Sequence, residues 1–558
     1  MRSASRFVLI ATMVVGTAFA GACTSEDGAS GTTSTTRPPV EQDVTTTSPE
    51  RVCTPDESTP VQAAAVPGSV SDVDVTSFDG TVIRAHWFPV DGGEGPHPTI
   101  LMGPGWGSAG DTKVDQVGVL GAVNIKTLRD AGYNVLTWDP RGFGKSTGVA
   151  QVDSADYEGR DVQRLLDWVA ARSDASTDGP GDPTVGMVGG SYGGGIQLVT
   201  AAIDCRVDAI VPIIAWHSLG TSLYKNDTVK QGWASILSRV AASARLDPMI
   251  GEANAQGAST GTLSDEQRDW FLARGPSDLV ADVTAPSMVV GGTVDTLFTL
   301  DEDITNYRII HESGVPVSMY WYCGGHGTCL TEKGDEQRMT DRVLAWLDRF
   351  VKGDESVDTG AGFDFLDQDG TRYTAPGYPL EAGEPIRVSG SGTLDLRGDG
   401  GSGPAKVTDD KRDLLTGVAG DIIPSPATNA VNVAIPARDD AMVLGAPRLK
   451  LIYSGDEPTG AENTAGRPTR VFAQIVDTST GLVVGNQITP VPLVLDGEEH
   501  TVEVPLEVIA HRVDPTSSLE LQIVATTTLY GLPRLGGSVD LSEVSISLPT
   551  VTGYEKVS

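Results

Sequence analysis

Two textures of hydrophobic pattern divide the chain. Up to about residue 352, short and almost wholly apolar runs recur: PTILMGP, YNVLTWDP, TVGMVGG, VDAIVPIIAW, SMVVGG and VPVSMYWY. Runs of this length and purity suit strands of a parallel sheet buried on both faces. Stretches with helical spacing lie between them, among them VGVLGAVNIKTLRDAG and EGRDVQRLLDWVAARS, and DEQRMTDRVLAWLDRFVKG closes the series. Ahead of them, VDVTSFDGTVIRAHWFPV alternates apolar and polar around Asp79-Gly80, a hairpin signal. Strand and helix alternate, which predicts an open α/β sheet. One interval breaks the rhythm. Residues 217 to about 283 place a long, mostly helical insertion, including DEQRDWFLAR, between two strands. An insertion there sits over the strand ends as a cap. After Gly353 the helical period disappears. RLKLIYSG, RVFAQIVD, HTVEVPLEVIA, LELQIVATT and VDLSEVSISLP alternate between glycines and prolines. That pattern predicts an all-β jelly-roll, a β-sandwich domain, over residues 385–558. Residues 66–352 form the α/β part and 353–384 a connector.

Composition adds an address. Arg2 and Arg6 precede an apolar run from Val8 to Ala20, too short for a comfortable membrane span and laid out like a secretory signal over residues 1–22. Small residues then precede Cys23, as in a bacterial lipoprotein cleavage box, with Ala20 where leucine is usual. Cleavage there makes Cys23 a lipidated N-terminus; a plain signal peptidase cutting nearby makes the protein secreted. Both readings export it. Residues 23–65 are rich in Ser, Thr, Gly and Pro and read as a disordered tether. The 558-residue chain carries a formal charge of −34, which argues against nucleic acid and anionic membrane surfaces as partners. The membrane contact expected is the N-terminal lipid anchor.

Export changes the meaning of the five cysteines. Setting Cys23 aside leaves Cys53, Cys205, Cys323 and Cys329, an even count in an oxidising compartment. Of the three pairings, Cys323–Cys329 with Cys53–Cys205 is the simplest. The first pair brackets His326 in WYCGGHGTCL. A zinc site is the competing reading, but C-x2-H-x2-C is not a recognised zinc spacing and supplies only three ligands. No metal is expected.

The motif G-x-S-x-G occurs at Ser146, Ser191 and Ser259 in a chain with 66 glycines. A nucleophile elbow needs a strand before the serine and a helix after it. Only Ser191 has both, TVGMVGG and GGGIQLVTAAI. On this topology an acid and then a histidine should follow at the ends of later strands. Asp295 follows SMVVGG and His326 follows VPVSMYWY. His326 would act as general base, and Asp295 would orient it. Asp301 and Asp303 are substitutes for the acid. The oxyanion donors would be the backbone N–H groups of Tyr192 and Trp106. Two nucleotide motifs fail. GWGSAG lacks an immediate helix and an acid at the right distance, and GFGKST lacks the first glycine of a P-loop, which would be residue 139. No cofactor is expected.

With these residues in place, the sequence resembles the X-prolyl dipeptidyl-peptidase and cocaine-esterase-like (CocE/NonD-type) group of α/β hydrolases. The resemblance rests on WDPRGFGKSTG, GGSYGGG, GGTVDTLF and CGGHG, with FAQIVDTSTGLVVGNQ and VPLVLDGEEHTVEVPLEVIA in the tail, and spans roughly residues 70 to 550. It implies an α/β-hydrolase fold with a helical cap insertion and a C-terminal jelly-roll, hydrolysing amides or esters in a pocket shaped by the cap and the β-domain. The sequence departs from the family at Trp106, where members often supply a tyrosine hydroxyl to the oxyanion. An X-prolyl exopeptidase also needs carboxylates for the substrate amino terminus. The cap offers Asp227, Glu252, Asp265, Glu266 and Asp269, which read as solvated. The expectation is an exported serine hydrolase acting on small acyl esters or short peptides. The alternative is a non-catalytic cell-surface binding protein that keeps a hydrolase shell.

Overall fold

A computed structural model describes residues 60–557 apart from 93–94, 117, 119–120 and 458–465. The expected signal peptide, Cys23, most of the tether and Cys53, with its expected bridge to Cys205, lie outside the described residues. The tether ends before residue 65, because Ala63–Ala65 (β1) pairs antiparallel with Asp72–Thr76 (β2).

The hairpin at Asp79-Gly80 joins β2 to Val82–Phe88 (β3). Six apolar runs follow as strands: Thr99–Gly103 (β4), Asn134–Trp138 (β5), Val185–Gly190 (β6), Ala209–Ile213 (β7), Ser287–Gly292 (β8) and Val317–Tyr322 (β9). They pair in parallel in the order β5-β4-β6-β7-β8-β9. β4, β5, β7 and β8 are buried at every position, since helices cover both faces of the sheet. Helices Ile125–Asp130 (α1) and Arg160–Ala170 (α2) come first, and two more frame the site, Tyr192–Ile203 (α3) after β6 and Leu300–Glu312 after β8. One expected helix is much shorter than its pattern. Among the described residues of that stretch, 117–132, only Ile125–Asp130 is helical. The Asn124 side chain accepts from the Thr127 N–H and starts the helix there.

Between β7 and β8 the insertion folds as expected, into helices Leu219–Leu223, Gln231–Val240, Pro248–Thr260 and Asp265–Leu272. The last opens with a capping box in which Ser264 and Gln267 exchange hydrogen bonds.

The expected connector is different. Phe363–Leu366 (β10) and Arg372–Ala375 (β11) extend the large sheet beyond β9. Phe363, Phe365 and Tyr373 stack one on the next there, with Phe363 edge-on to Trp321 of β9, which gives these residues a core of their own.

The C-terminal part contains separate antiparallel sheets. Ile386–Asp395 (β12), Ala430–Ile435 (β13), Ala441–Gly445 (β14), Arg448–Ser454 (β15), Arg470–Asp477 (β16), Leu482–Pro492 (β17), His500–Pro505 (β18), Ile509–Val513 (β19), Leu519–Val524 (β20) and Ser538–Leu548 (β21) supply most of their strands. One sheet runs β12-β21-β15-β18, and a second runs β13-β20-β16-β17. They share a core of aliphatic side chains, including Leu451, Val471, Leu521 and Val544. The outer sheet alternates more and less exposed positions; in β18 half-buried and exposed residues alternate throughout. β16 does not alternate, for all eight of its residues are buried. Its second face packs on the cap and the ends of the parallel strands, where Phe472 and Ile488 join Trp216, Trp233 and Phe298. A final strand, Glu555–Lys556 (β22), returns to pair with β11 in the large sheet.

Candidate active site

Ser191 stands between β6 and α3 with φ 56° and ψ −117°, a conformation that side chains rarely adopt. The strain is tolerated because both sides of the turn pack backbone to backbone. A Cβ at Gly189 would lie 2.5 Å from the Gly193 carbonyl oxygen, and one at Gly193 would lie 2.2 Å from the Gly103 oxygen. Only glycine fits either position. The Ser191 N–H donates to the Ile213 carbonyl of β7 (2.8 Å), while its own carbonyl accepts from Gly194 and Gly195. The elbow thus projects the serine from the sheet end.

Asp295 and His326 come from the turns after β8 and β9. The Asp295 side chain is wholly buried. Its Oδ1 accepts from the N–H groups of Leu297 and Phe298, both at 2.9 Å. Its Oδ2 accepts from the His326 backbone N–H at 2.9 Å and faces His326 Nδ1 at 2.6 Å. His326 Nε2 lies 2.8 Å from Ser191 Oγ. With Nδ1 protonated toward the carboxylate, Nε2 is free to accept the serine proton. Trp233 and Phe298 meet the imidazole edge to face, at 5.7 and 5.0 Å between ring centroids.

Two supports hold the histidine loop. Cys323 and Cys329 form a disulfide across it, so neither offers a thiolate to a metal. The second support comes from β17. Asn486 donates its amide N–H to the Thr328 carbonyl (3.0 Å), and Gln487 donates to the Asp295 carbonyl (2.8 Å). Gly485 and Asn486 both have positive φ, so the strand bulges and turns these amides toward the site. Sequence reasoning missed this pair. The signal was Gly-Asn inside an otherwise continuous strand pattern, LVVGNQITPVP.

The other candidates fall elsewhere. Ser146 is buried away from the cleft, donating to the Asp139 carbonyl (2.5 Å) and accepting from the Arg84 N–H (2.8 Å). Ser259 lies exposed in the Pro248–Thr260 helix. Asp301 pairs with Lys225 (3.1 Å). Asp303 is fully buried with no hydrogen-bond partner among the described residues, and burial pushes its carboxyl well above the usual range. All five acids noted in the cap are exposed.

A cleft partly open to solvent begins at Ser191. Trp106 and Tyr192 line it, their rings 5.3 Å apart. The Trp106 indole N–H is committed to the Leu237 carbonyl (3.2 Å). Lys230 also lines the cleft; its buried ammonium donates to the Leu297 carbonyl (2.9 Å), and burial lowers its pKa to about 8.

A serine at a strand–helix elbow, on a parallel sheet with a helical insertion, defines the chain as a serine hydrolase of the α/β-hydrolase class. Residues 79–328 match the model of the X-Pro dipeptidyl-peptidase (S15 family). Similar solved structures include a CocE/NonD family hydrolase from Staphylococcus aureus, with 12% identity and TM-score 0.63 over 86% of this chain and 93% of that one. An α-amino acid ester hydrolase has 12% identity and TM-score 0.62 over 93% of this chain and 100% of its own. An aminopeptidase from a marine-sediment Thaumarchaeota archaeon has 13% identity and TM-score 0.60 over 90% and 98%. At these identities the likeness speaks for the fold. No curated protein matches the sequence. The resemblance to the X-prolyl dipeptidyl-peptidase and CocE/NonD-type hydrolases therefore holds.

Proposed function

We propose that the chain is an exported hydrolase that cleaves small acyl esters or short peptides through an acyl-enzyme on Ser191. The observation that carries this reading is the unbroken chain of contacts Asp295–His326–Ser191, at 2.6 and 2.8 Å. His326 Nε2 takes the Ser191 proton as Oγ attacks the acyl carbon. The tetrahedral oxyanion is met by the N–H of Tyr192, at the N-terminus of α3, and by that of Trp106. The imidazolium then gives its proton to the leaving group, and water repeats the sequence to free the acid. Asp295 holds the imidazole tautomer and balances the imidazolium charge.

Export rests on the N-terminal signal, with Cys23 as the lipidated residue of a cell-surface form. A fluorophosphonate that does not cross membranes, applied to intact cells and to the purified chain, tests both parts. Labelling is expected in each case and is lost in Ser191→Ala. No labelling of the purified wild type, or equal labelling of the variant, would end the catalytic reading. Labelling of the purified chain, with none on intact cells and none in their culture medium, would end the exported one.

A further inference from the structure

Resting on the reading of Ser191 as nucleophile, we propose that the preferred substrate is an ester of a medium or long aliphatic acid, with no amino group on the acyl side. The cleft beside Ser191 is built mostly by the insertion, and its wall is aliphatic and aromatic: Leu223, Val229, Leu237, Ile250 and Phe271 stand opposite Phe298. The wall runs from Trp106 and Tyr192 beside the serine to Leu263 and Phe271 of the insertion, more apolar surface than an acetyl group covers. Such a wall rewards each methylene it removes from water, by about fourfold in binding where the contact is complete.

The charges around the cleft point the same way. Among the described residues that line it, none is aspartate or glutamate, and the two charged ones are Lys230 and Arg268. The Lys230 ammonium is already turned to the Leu297 carbonyl, and Arg268 is paired with Asp265 and Asp269 outside the cleft. A substrate with a free amino terminus would bring an ammonium into this apolar space with no carboxylate to meet it and two cations near by. Burying such an unpaired charge is strongly unfavourable. An alkyl chain meets no such penalty.

The test is a series of p-nitrophenyl esters with acyl chains of two, four, eight and twelve carbons, beside an aminoacyl-prolyl anilide. The expected kcat/KM for the octanoate or dodecanoate exceeds that for the acetate by about tenfold or more, and the anilide falls below all the esters. Ile250→Trp and Leu237→Trp, which narrow the cleft, should each lower the octanoate-to-acetate ratio. A ratio of rates within one sample does not depend on how much of the variant folds. An acetate as good as the octanoate, or a faster anilide, with Ser191 still labelled by the fluorophosphonate, would overturn the substrate assignment and leave the hydrolase standing. Absence of labelling would remove both.

Discussion

The turn that presents Ser191 is held by β6, α3 and the neighbouring ends of β4 and β7. The turns that present His326 and Asp295 lean on β17, whose amides reach Thr328 and Asp295 from 158 and 192 residues further along the chain. Ser191, the nucleophile of our proposal, is therefore a product of one strand–turn–helix unit. His326 and Asp295, its proposed base and acid, are placed by two loops that the C-terminal sheets clamp. Such loops, rich in glycine, lose about 1–2 kcal/mol of backbone entropy per residue on ordering, and something outside them must offset it. The comparison teaches that disturbing the elbow should abolish chemistry, while disturbing the clamp should weaken it by degrees.

The largest effect belongs to the elbow. Ser191→Ala should lower kcat by on the order of 10⁴-fold or more, since nucleophile and base act as one unit. Ser146→Ala, in the same motif but buried under Arg84, should leave kcat within a few-fold. Equal losses in steady-state assays would break the distinction between them.

The clamp comes next. Gln487→Met removes the amide that holds the Asp295 carbonyl. We expect kcat to fall about tenfold, roughly 1.4 kcal/mol in the barrier, with KM within about twofold, because Gln487 positions the acid and does not line the cleft. An unchanged kcat in this variant would show that the loops hold themselves.

A smaller change should follow loss of the Cys323–Cys329 bridge. Closing so short a loop removes roughly 2 kcal/mol of unfolded-state entropy in the chain-entropy model. Cys323→Ser with Cys329→Ser should lower kcat a few-fold at a temperature where the variant stays folded. Unchanged turnover in the folded variant would leave the bridge as a staple of the surface.

The smallest effect separates the two regions by pH. Burial raises Glu158, behind the elbow, to about 7, above its unfolded value. Its neutral form is the one the fold accepts, so its contribution to stability falls as pH rises from 4.5 to 7. Burial lowers His511, on β19, below its ordinary value of 6.5. The unfolded chain then takes up the proton first, so this contribution is lost as pH falls below 6.5. Glu158→Gln should therefore raise Tm more at pH 8 than at pH 5, and His511→Gln more at pH 5 than at pH 8. Differences on the order of 2 °C are expected in thermal unfolding. The same sign for both would contradict these environments.

Much of this was legible along the chain. Buried parallel strands have to be apolar throughout, so β4 to β9 announced themselves. The order Ser191, Asp295, His326 followed from which strand each residue terminates. The glycines of GGSYGGG marked a close approach because nothing larger fits between β6 and α3. Residues 353–384 read as a connector because β10 and β11 are four residues each, too short for a period to show. β16 hid its second role for a different reason. When both faces of a strand are buried, the alternation that assigns a face disappears, and the sequence does not say what covers it. Gln487 was invisible for the same cause, since a polar residue in a strand acquires meaning only from what the fold brings opposite. Local chemistry, written in adjacent residues, determined the elbow and the order of Ser191, Asp295 and His326. Only the tertiary structure decided which distant amides hold the base and acid, and how apolar the cleft became, because those depend on surfaces that meet after the chain has folded.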